Sequence, residues 1–284
     1  MQETFNSQIN NLTEIPQKRD AFKKLSFKKN WPFFDVRGGK AYFVRQANLG
    51  FDEKNNDVFV NKIKLLIKAN PWLFFIIERL VGSSFLGKSA SDAIKNIPEG
   101  DVILNLGSGV SVVREDVINV DFHPFENVNF VADIMNLPFA DNTTDAVICE
   151  EVLEHVKDPK AVVSEMYRVM KPGALVYVVV PFVFSFHSSP SDYYRWSKMG
   201  LKELMNDFDE IDCGMRSGGG AALSWVLAEF MATILSFGLK KAHQILFMAF
   251  LVLFAPLCYL DYIFHKFPLS ENIAATFYYI GRKK

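Results

Sequence analysis

Hydrophobic and polar positions change rhythm several times along the chain. From Phe22 to Lys29 apolar and basic residues alternate, and WPFFDVRGGKAYFV (Trp31–Val44) reads as two short extended runs joined at Gly38–Gly39, a hairpin signal. From Val58 to Leu80 the spacing turns helical and breaks at Asn70–Pro71, where Asn as N-cap and Pro as first helical residue suit a new helix start. These patterns predict a helical cap region over residues 1–96. From Ile97 short β-branched runs take over: DVILNLG, DVINVD and NVNFVAD, then TDAVICEE and ALVYVVVP. Between the last two, LEHVKDPKAVVSEMYRVMKPG carries apolar residues at helical spacing and stops at KPG. Continuously apolar strands alternating with helices predict an α/β fold with a parallel sheet, its core over residues 97–219.

The C-terminal quarter is patterned differently. Ala221 to Phe237 is apolar with Glu229 inside, and ILFMAFLVLFAPLCYL (Ile245–Leu260) carries no charge. That run falls short of the ~20 residues of a spanning helix, and Pro256 and Asp261 argue further against a span. Two helices inserted over residues 220–268, before a final strand IAATFYYIG within 269–284, are expected. Their apolar surface has three open uses: a hairpin packed on the core, a homodimer interface, or membrane-surface contact through residues 221–265 with Lys240, Lys241, His265 and Lys266 at its ends.

Composition narrows the function. Half the residues are hydrophobic and 22% charged, enough for one sizeable core. The 31 basic and 32 acidic residues leave a net charge of -1, so no nucleic-acid partner is expected. Cys149, Cys213 and Cys258 lack the spacing of a zinc site or a disulfide framework, so no metal is expected either. With a polar Met1–Arg19 that lacks a secretory signal, they suggest a cytoplasmic protein, or one peripheral at the inner face of a membrane.

In parallel α/β sheets ligands sit beyond the carboxyl ends of the strands. Those ends carry Gly107-Ser108-Gly109, Asp121, Asp133 and Glu150–Glu151. Glycine allows close backbone approach to a ligand, the acidic residue after the second strand can accept both hydroxyls of a ribose, and Asp133 can take the amino group of a base.

In this order LNLGSG, VINVD, ADIMNLPF, DAVICEEVLEHV and RVMKPG resemble the motifs of class I S-adenosylmethionine-dependent methyltransferases of the type 11 superfamily, over about Asp101 to Phe208. The resemblance implies a Rossmann-like seven-stranded sheet flanked by helices, its last two strands antiparallel, with S-adenosylmethionine as cofactor. It places Asn105, Leu106, Gly107, Ser108 and Gly109 along the methionine part, Asp121 on the ribose and Phe122 against the adenine. It places Asp133 with the Ile134 backbone at the adenine amino group, and Glu150 facing the cofactor or the acceptor. Two positions depart from the pattern: Asn105 replaces an acidic residue, and Ser111 replaces the third glycine.

Methyl transfer from a sulfonium needs an acceptor held in line and, for a hydroxyl or amine, removal of a proton. Candidate bases are His187, His155, Glu151 and Asp192, with His155 alternatively stabilising its helix. After the fifth strand, PFVFSFHSSPSDYYRWSKMGLKELM brings Tyr193, Tyr194, Arg195 and Trp196 to the active mouth. They either recognise a polar ring or pack and salt-bridge the loop. The segment also resembles methyltransferases of surface-polysaccharide biosynthesis, which implies a saccharide or lipid-linked glycan acceptor transferred to at O or N. A nicotinamide-dependent dehydrogenase is the enzyme alternative, disfavoured because the glycines do not extend to GxGxxG. A non-catalytic membrane-associated scaffold is the other.

Only Val110 to Asp116 separates the glycine turn from the next strand, too short for a crossover helix of two to three turns. The crossover is therefore expected to shrink to a loop or single turn, with a replacement lid from Lys23 to Leu80.

Overall fold

The computed structural model describes residues 16–29, 31–32, 34–44, 86–187 and 191–284. Its strands are β1 (Asp35–Arg37), β2 (Lys40–Tyr42), β3 (Ile103–Leu106), β4 (Ile118–Asp121), β5 (Phe130–Val131), β6 (Thr144–Glu150), β7 (Met170–Pro181), β8 (Phe208–Ser217) and β9 (Thr276–Lys283). They form one nine-stranded sheet in the order β1-β2-β5-β4-β3-β6-β7-β9-β8. Strands β5, β4, β3, β6 and β7 pair in parallel, and β9 runs antiparallel to both β7 and β8.

The sheet has nine strands where seven were expected, and the N-terminal hairpin supplies β1 and β2. Gly38 and Gly39 both have positive φ (55° and 72°), which a two-residue hairpin turn requires, and β2 then pairs in parallel with β5. The hairpin therefore belongs to the sheet and not to a separate cap. The helical cap expected over 58–80 lies outside the described residues.

Helices are α1 (Arg19–Lys24), α2 (Ala90–Ile94), α3 (Pro159–Val169), α4 (Lys198–Leu204), α5 (Gly219–Leu235), α6 (Lys240–Phe254) and α7 (Asp261–Phe264). The single helix expected from Leu153 to the KPG stop is divided. Leu153–His155 forms one 3-10 turn, and Asp158 starts α3 by accepting from Ala161 N–H (3.1 Å), with Pro159 at the first helical position.

Side chains alternate across the strands and fill two layers. Leu104, Leu106, Ile118, Val120, Val147 and Cys149 join α1 and α3 in one core. Ile103, Ala146, Ile148, Tyr177 and Val179 face α2 in the other. Each fully buried aliphatic side chain contributes ~1.5–3 kcal/mol, so these layers hold the strand ends in place.

Between Gly109 and β4 there is no helix, as the short crossover requires. Arg114 braces this loop, binding Asp116 (2.8 Å) and donating to the carbonyls of Ile94 (3.3 Å) and Ile97 (3.1 Å) at the end of α2. On the same sheet a polar ladder runs across the strands. Asn105 donates to Asn119 Oδ1 (3.2 Å), Asn129 Oδ1 accepts from Asn119 N–H (2.9 Å), and Lys18 Nζ donates to the same Asn129 oxygen (2.8 Å). All four residues are buried. Burial lowers the Lys18 amine to about 8.

The insertion forms a hairpin of α5 and α6, continued by a 3-10 segment (Ala255–Leu260) and α7. Its internal polar groups are used within it. Glu229 meets His243 Nε2 at 3.0 Å across the hairpin, and the wholly buried Asp261 accepts from Gly220 N–H (2.6 Å) and Ala221 N–H (3.1 Å), capping α5. Asp261 is thus a structural cap. Pro256 starts the 3-10 segment without ending the helical run, so Lys240–Phe264 is one helix long and apolar enough to cross a membrane by length and composition.

Candidate active site

The carboxyl ends of β3, β4, β5 and β6 share one sheet edge, and the predicted cofactor residues lie along it. Gly107 has φ 66°, and a Cβ there would lie 2.4 Å from Val152 in the turn after β6, so the two turns interlock only because residue 107 has no side chain. Gly107 and Ser108 N–H both donate to the Val120 carbonyl (2.8 and 3.3 Å). Asp121 holds the next step of the turn: one oxygen accepts from Gly109 N–H (2.8 Å), the other from His123 N–H (2.7 Å). Each oxygen keeps a further lone pair for a hydroxyl.

Ser108 supports a ligand in this turn, because its buried Oγ has no hydrogen-bonding partner among the described residues. Asp133 accepts from Met135 N–H (2.9 Å), which fixes its carboxyl after β5, and Ile134 is buried beside it. Phe122 is half-buried and meets His123 edge-on. Leu106 is wholly buried in the core, so only its backbone faces the turn. Asn105 is bonded to Asn119 in the ladder. The departure at residue 105 thus goes with the lost crossover helix: a neutral amide extends the ladder, where a carboxylate would face the Asn119 oxygen.

At the end of β6, Glu150 lies beside Tyr177 and Arg216, and burial raises its carboxyl. Glu151 turns the other way with φ 52°, a left-handed conformation that is uncommon outside glycine and recurs at functional sites. Its side chain is exposed, with Glu154, His187, Glu150 and Arg216 acting on its carboxyl. Desolvation and the neighbouring Glu154 push its pKa up to about 7, despite the opposing pull of His187.

The four candidate bases come together around Glu154, which sequence reasoning missed. Glu154 is wholly buried, and its Oε1 lies 3.7 Å from His155 Nε2 and 3.6 Å from His187 Nε2. The two imidazoles meet edge-on, with ring centroids 5.0 Å apart. Asp192 approaches the far nitrogen of His187 (3.6 Å) and accepts from His187 N–H (2.8 Å). Burial disfavours the His187 imidazolium, but Glu154, the Ser185 carbonyl and Asp192 outweigh it and raise the pKa. The signal for Glu154 was a charged residue next to Leu153 in LEHV, hidden by reading that stretch as an amphipathic helix face.

The loop candidates divide. Arg195 is spent on structure, with NH2 donating to Asp192 Oδ2 (2.6 Å) and Ser185 O (3.0 Å). That pairing is the first cause holding Asp192 down at about 2. Trp196 packs on the main core. Tyr193 and Tyr194 are exposed and remain open to an acceptor, with Tyr194 Oη donating to Lys157 O (2.9 Å). Phe184 in the same loop meets His187 (5.1 Å) and Trp225 of α5 (4.5 Å), joining the site to the hydrophobic insertion.

A methyltransferase domain family matches residues 109–178. A demethylmenaquinone methyltransferase of Listeria monocytogenes serotype 4a is 41% identical over 172 residues, covering 52% of this chain and 70% of the relative. Another, from Paenarthrobacter aurescens, is 30% identical over 122 residues, covering 40% of this chain and 46% of the relative. A cycloartenol-C-24-methyltransferase 1 of Oryza sativa subsp. japonica is 41% identical over 80 residues, covering 28% of this chain and 23% of the relative. The chain thus spans less than half of the Paenarthrobacter and rice proteins. It belongs to the class I S-adenosylmethionine-dependent methyltransferases.

Proposed function

We propose that the protein transfers a methyl group from S-adenosylmethionine to a nucleophilic oxygen, nitrogen or activated carbon of an amphipathic acceptor presented at a membrane surface. The observation that carries the reading is the single sheet edge on which the glycine turn, Asp121, Asp133 and Glu151 follow one another, with the His155–His187–Glu154 cluster beside them. When bound, the cofactor supplies a methyl group on a sulfonium leaving group. Asp121 takes the ribose, the Gly107–Gly109 backbone and Ser108 take the methionine end, and Asp133 with Ile134 takes the adenine. Glu151, with a pKa near 7, receives the acceptor's proton, His187 is held by Asp192, and Tyr193 and Tyr194 line the mouth.

The acceptor class draws on two observations. The relatives are named for demethylmenaquinone and cycloartenol, both largely hydrocarbon molecules, so a saccharide acceptor draws no support from them. The insertion that reaches the site through Phe184 also exposes Phe230, Phe237, Leu239, Val252, Ile263 and Phe267. Large contiguous apolar faces mark interaction surfaces, and Lys240 and Lys241 flank the exposed tip of the hairpin, as at an interfacial anchor. Peripheral contact at the inner face of a membrane places that surface next to the mouth.

Co-sedimentation with anionic vesicles tests the membrane part. Binding that falls tenfold or more in a Phe237→Asp, Ile263→Asp double variant is expected. Wild-type protein that stays in the supernatant as a dimer assigns the apolar face to a second copy and overturns it.

A further inference from the structure

The cluster beside Glu151 has more acceptors than donors. The buried carboxylate of Glu154 has no hydrogen-bonding partner on either oxygen among the described residues. The ring of His155 places Nδ1 2.6 Å from the Ser191 carbonyl, so Nδ1 carries the proton there and Nε2 is left with a lone pair aimed toward Glu154. His187 repeats the arrangement, with Nδ1 3.2 Å from the Ser185 carbonyl and Nε2 turned to the same Glu154 oxygen. With neutral rings, three lone pairs converge on one volume. A buried carboxylate in that position costs several kcal/mol unless a cation joins it.

We propose that Glu154, His155 and His187 form a binding site for one divalent transition-metal ion, of the zinc or ferrous class. The potential ligand atoms of the three residues all lie within 4.8 Å of one another, and the two Nε2 to Oε1 separations are 3.6 and 3.7 Å. Ligands at about 2.0–2.2 Å in tetrahedral geometry stand about 3.3–3.6 Å apart, so both Glu154–imidazole separations are already near that edge, and a bound ion would draw in the remaining ligand pair, which lies within 4.8 Å. Two imidazoles and one carboxylate favour such ions over magnesium, which prefers oxygen ligands. The supporting groups resemble those found behind metal-bound histidines: carbonyls on both Nδ1 atoms, and beside Nδ1 of His187 the paired Asp192 (3.6 Å) and Arg195 (NH2 at 3.5 Å). Three protein ligands leave at least one position open. An acceptor oxygen held there would be positioned for methyl transfer; that last step rests on the proposed function, whereas the metal site does not.

The test uses full-length protein stripped with a chelator and titrated with Co(II), followed by visible absorption, and separately with Zn(II), followed by metal analysis after dialysis. One equivalent of each, with the ligand-field bands of a four- or five-coordinate Co(II) site, is expected. Glu154→Gln and His187→Ala should each weaken binding tenfold or more, and His243→Ala, a remote control, should leave it unchanged. Should Glu154→Gln fail to fold, the half-exposed His187 carries the test. Wild-type protein that takes up neither metal, or uptake unaffected by His187→Ala, overturns the site. Binding of S-adenosylhomocysteine is measured on the same samples by calorimetry. Nucleotide binding without metal rejects the metal site alone, and metal without nucleotide rejects the methyltransferase reading alone.

Discussion

Asp121 and Glu151 divide the work of the site, one holding shape and the other holding charge. The two oxygens of Asp121 fix Gly109 and His123 N–H, so the carboxylate shapes the glycine turn, and in the proposed function it also receives the ribose. Asp121→Ala should therefore raise the Kd for S-adenosylhomocysteine by roughly tenfold or more, about 1.4 kcal/mol per decade, with far-UV circular dichroism unchanged. Glu151 makes a pH-dependent prediction. Its folded pKa of about 7 stands above its ordinary value of 4.5, so between these values the folded state holds more protons than the unfolded chain. Stability contributed by the protonated form is complete below about 4.5 and is lost as pH rises to about 7. In metal-free protein, Glu151→Gln should accordingly resist urea better than wild type at pH 8 and no better at pH 4. The same substitution should remove the rise in turnover centred near pH 7. A variant whose pH–rate profile matches wild type would exclude Glu151 as the base.

At the scale of elements, the interlocked turns after β3 and β6 depend on residue 107 being glycine. Gly107→Ala brings a Cβ to 2.4 Å from Val152 and forces alanine to φ 66°, which should cost about 1–3 kcal/mol; urea denaturation reads this directly. The five parallel strands and their order of motifs were legible in the sequence, because continuous apolar runs ending in small or acidic residues have few alternatives in a buried sheet. The hairpin was legible through Gly38–Gly39, but not its place in the sheet, since pairing of β2 with β5 is a contact over about ninety residues. The shortened crossover was also legible from residue count. What replaced it was not: the Asn105–Asn119–Asn129 ladder depends on strand register, which aligns Asn105 with Asn119. Glu154 was missed because a 3-10 turn aims it inward where a continuous helix would have aimed it by its 3.6-residue period.

For the whole molecule, the sheet and insertion form a device in which an aromatic series, His187, Phe184, Trp225 and Phe247, connects the polar cluster to the apolar hairpin. Under the proposed function, an acceptor with a hydrocarbon tail would keep its tail at the exposed face while its reactive head reaches Glu151. Trp225→Ala should loosen this joint, lowering activity toward a lipid-embedded acceptor more than toward a short soluble analogue, a comparison that steady-state assays in vesicles and in detergent-free buffer can make. The proposed function depends first on the strand-end constellation holding S-adenosylmethionine. Isothermal titration of the full-length protein with S-adenosylmethionine measures it most directly. Saturable binding at one site per chain, weakened by Asp121→Ala, is expected. Folded wild-type protein that releases no heat of binding with S-adenosylmethionine or S-adenosylhomocysteine would contradict it.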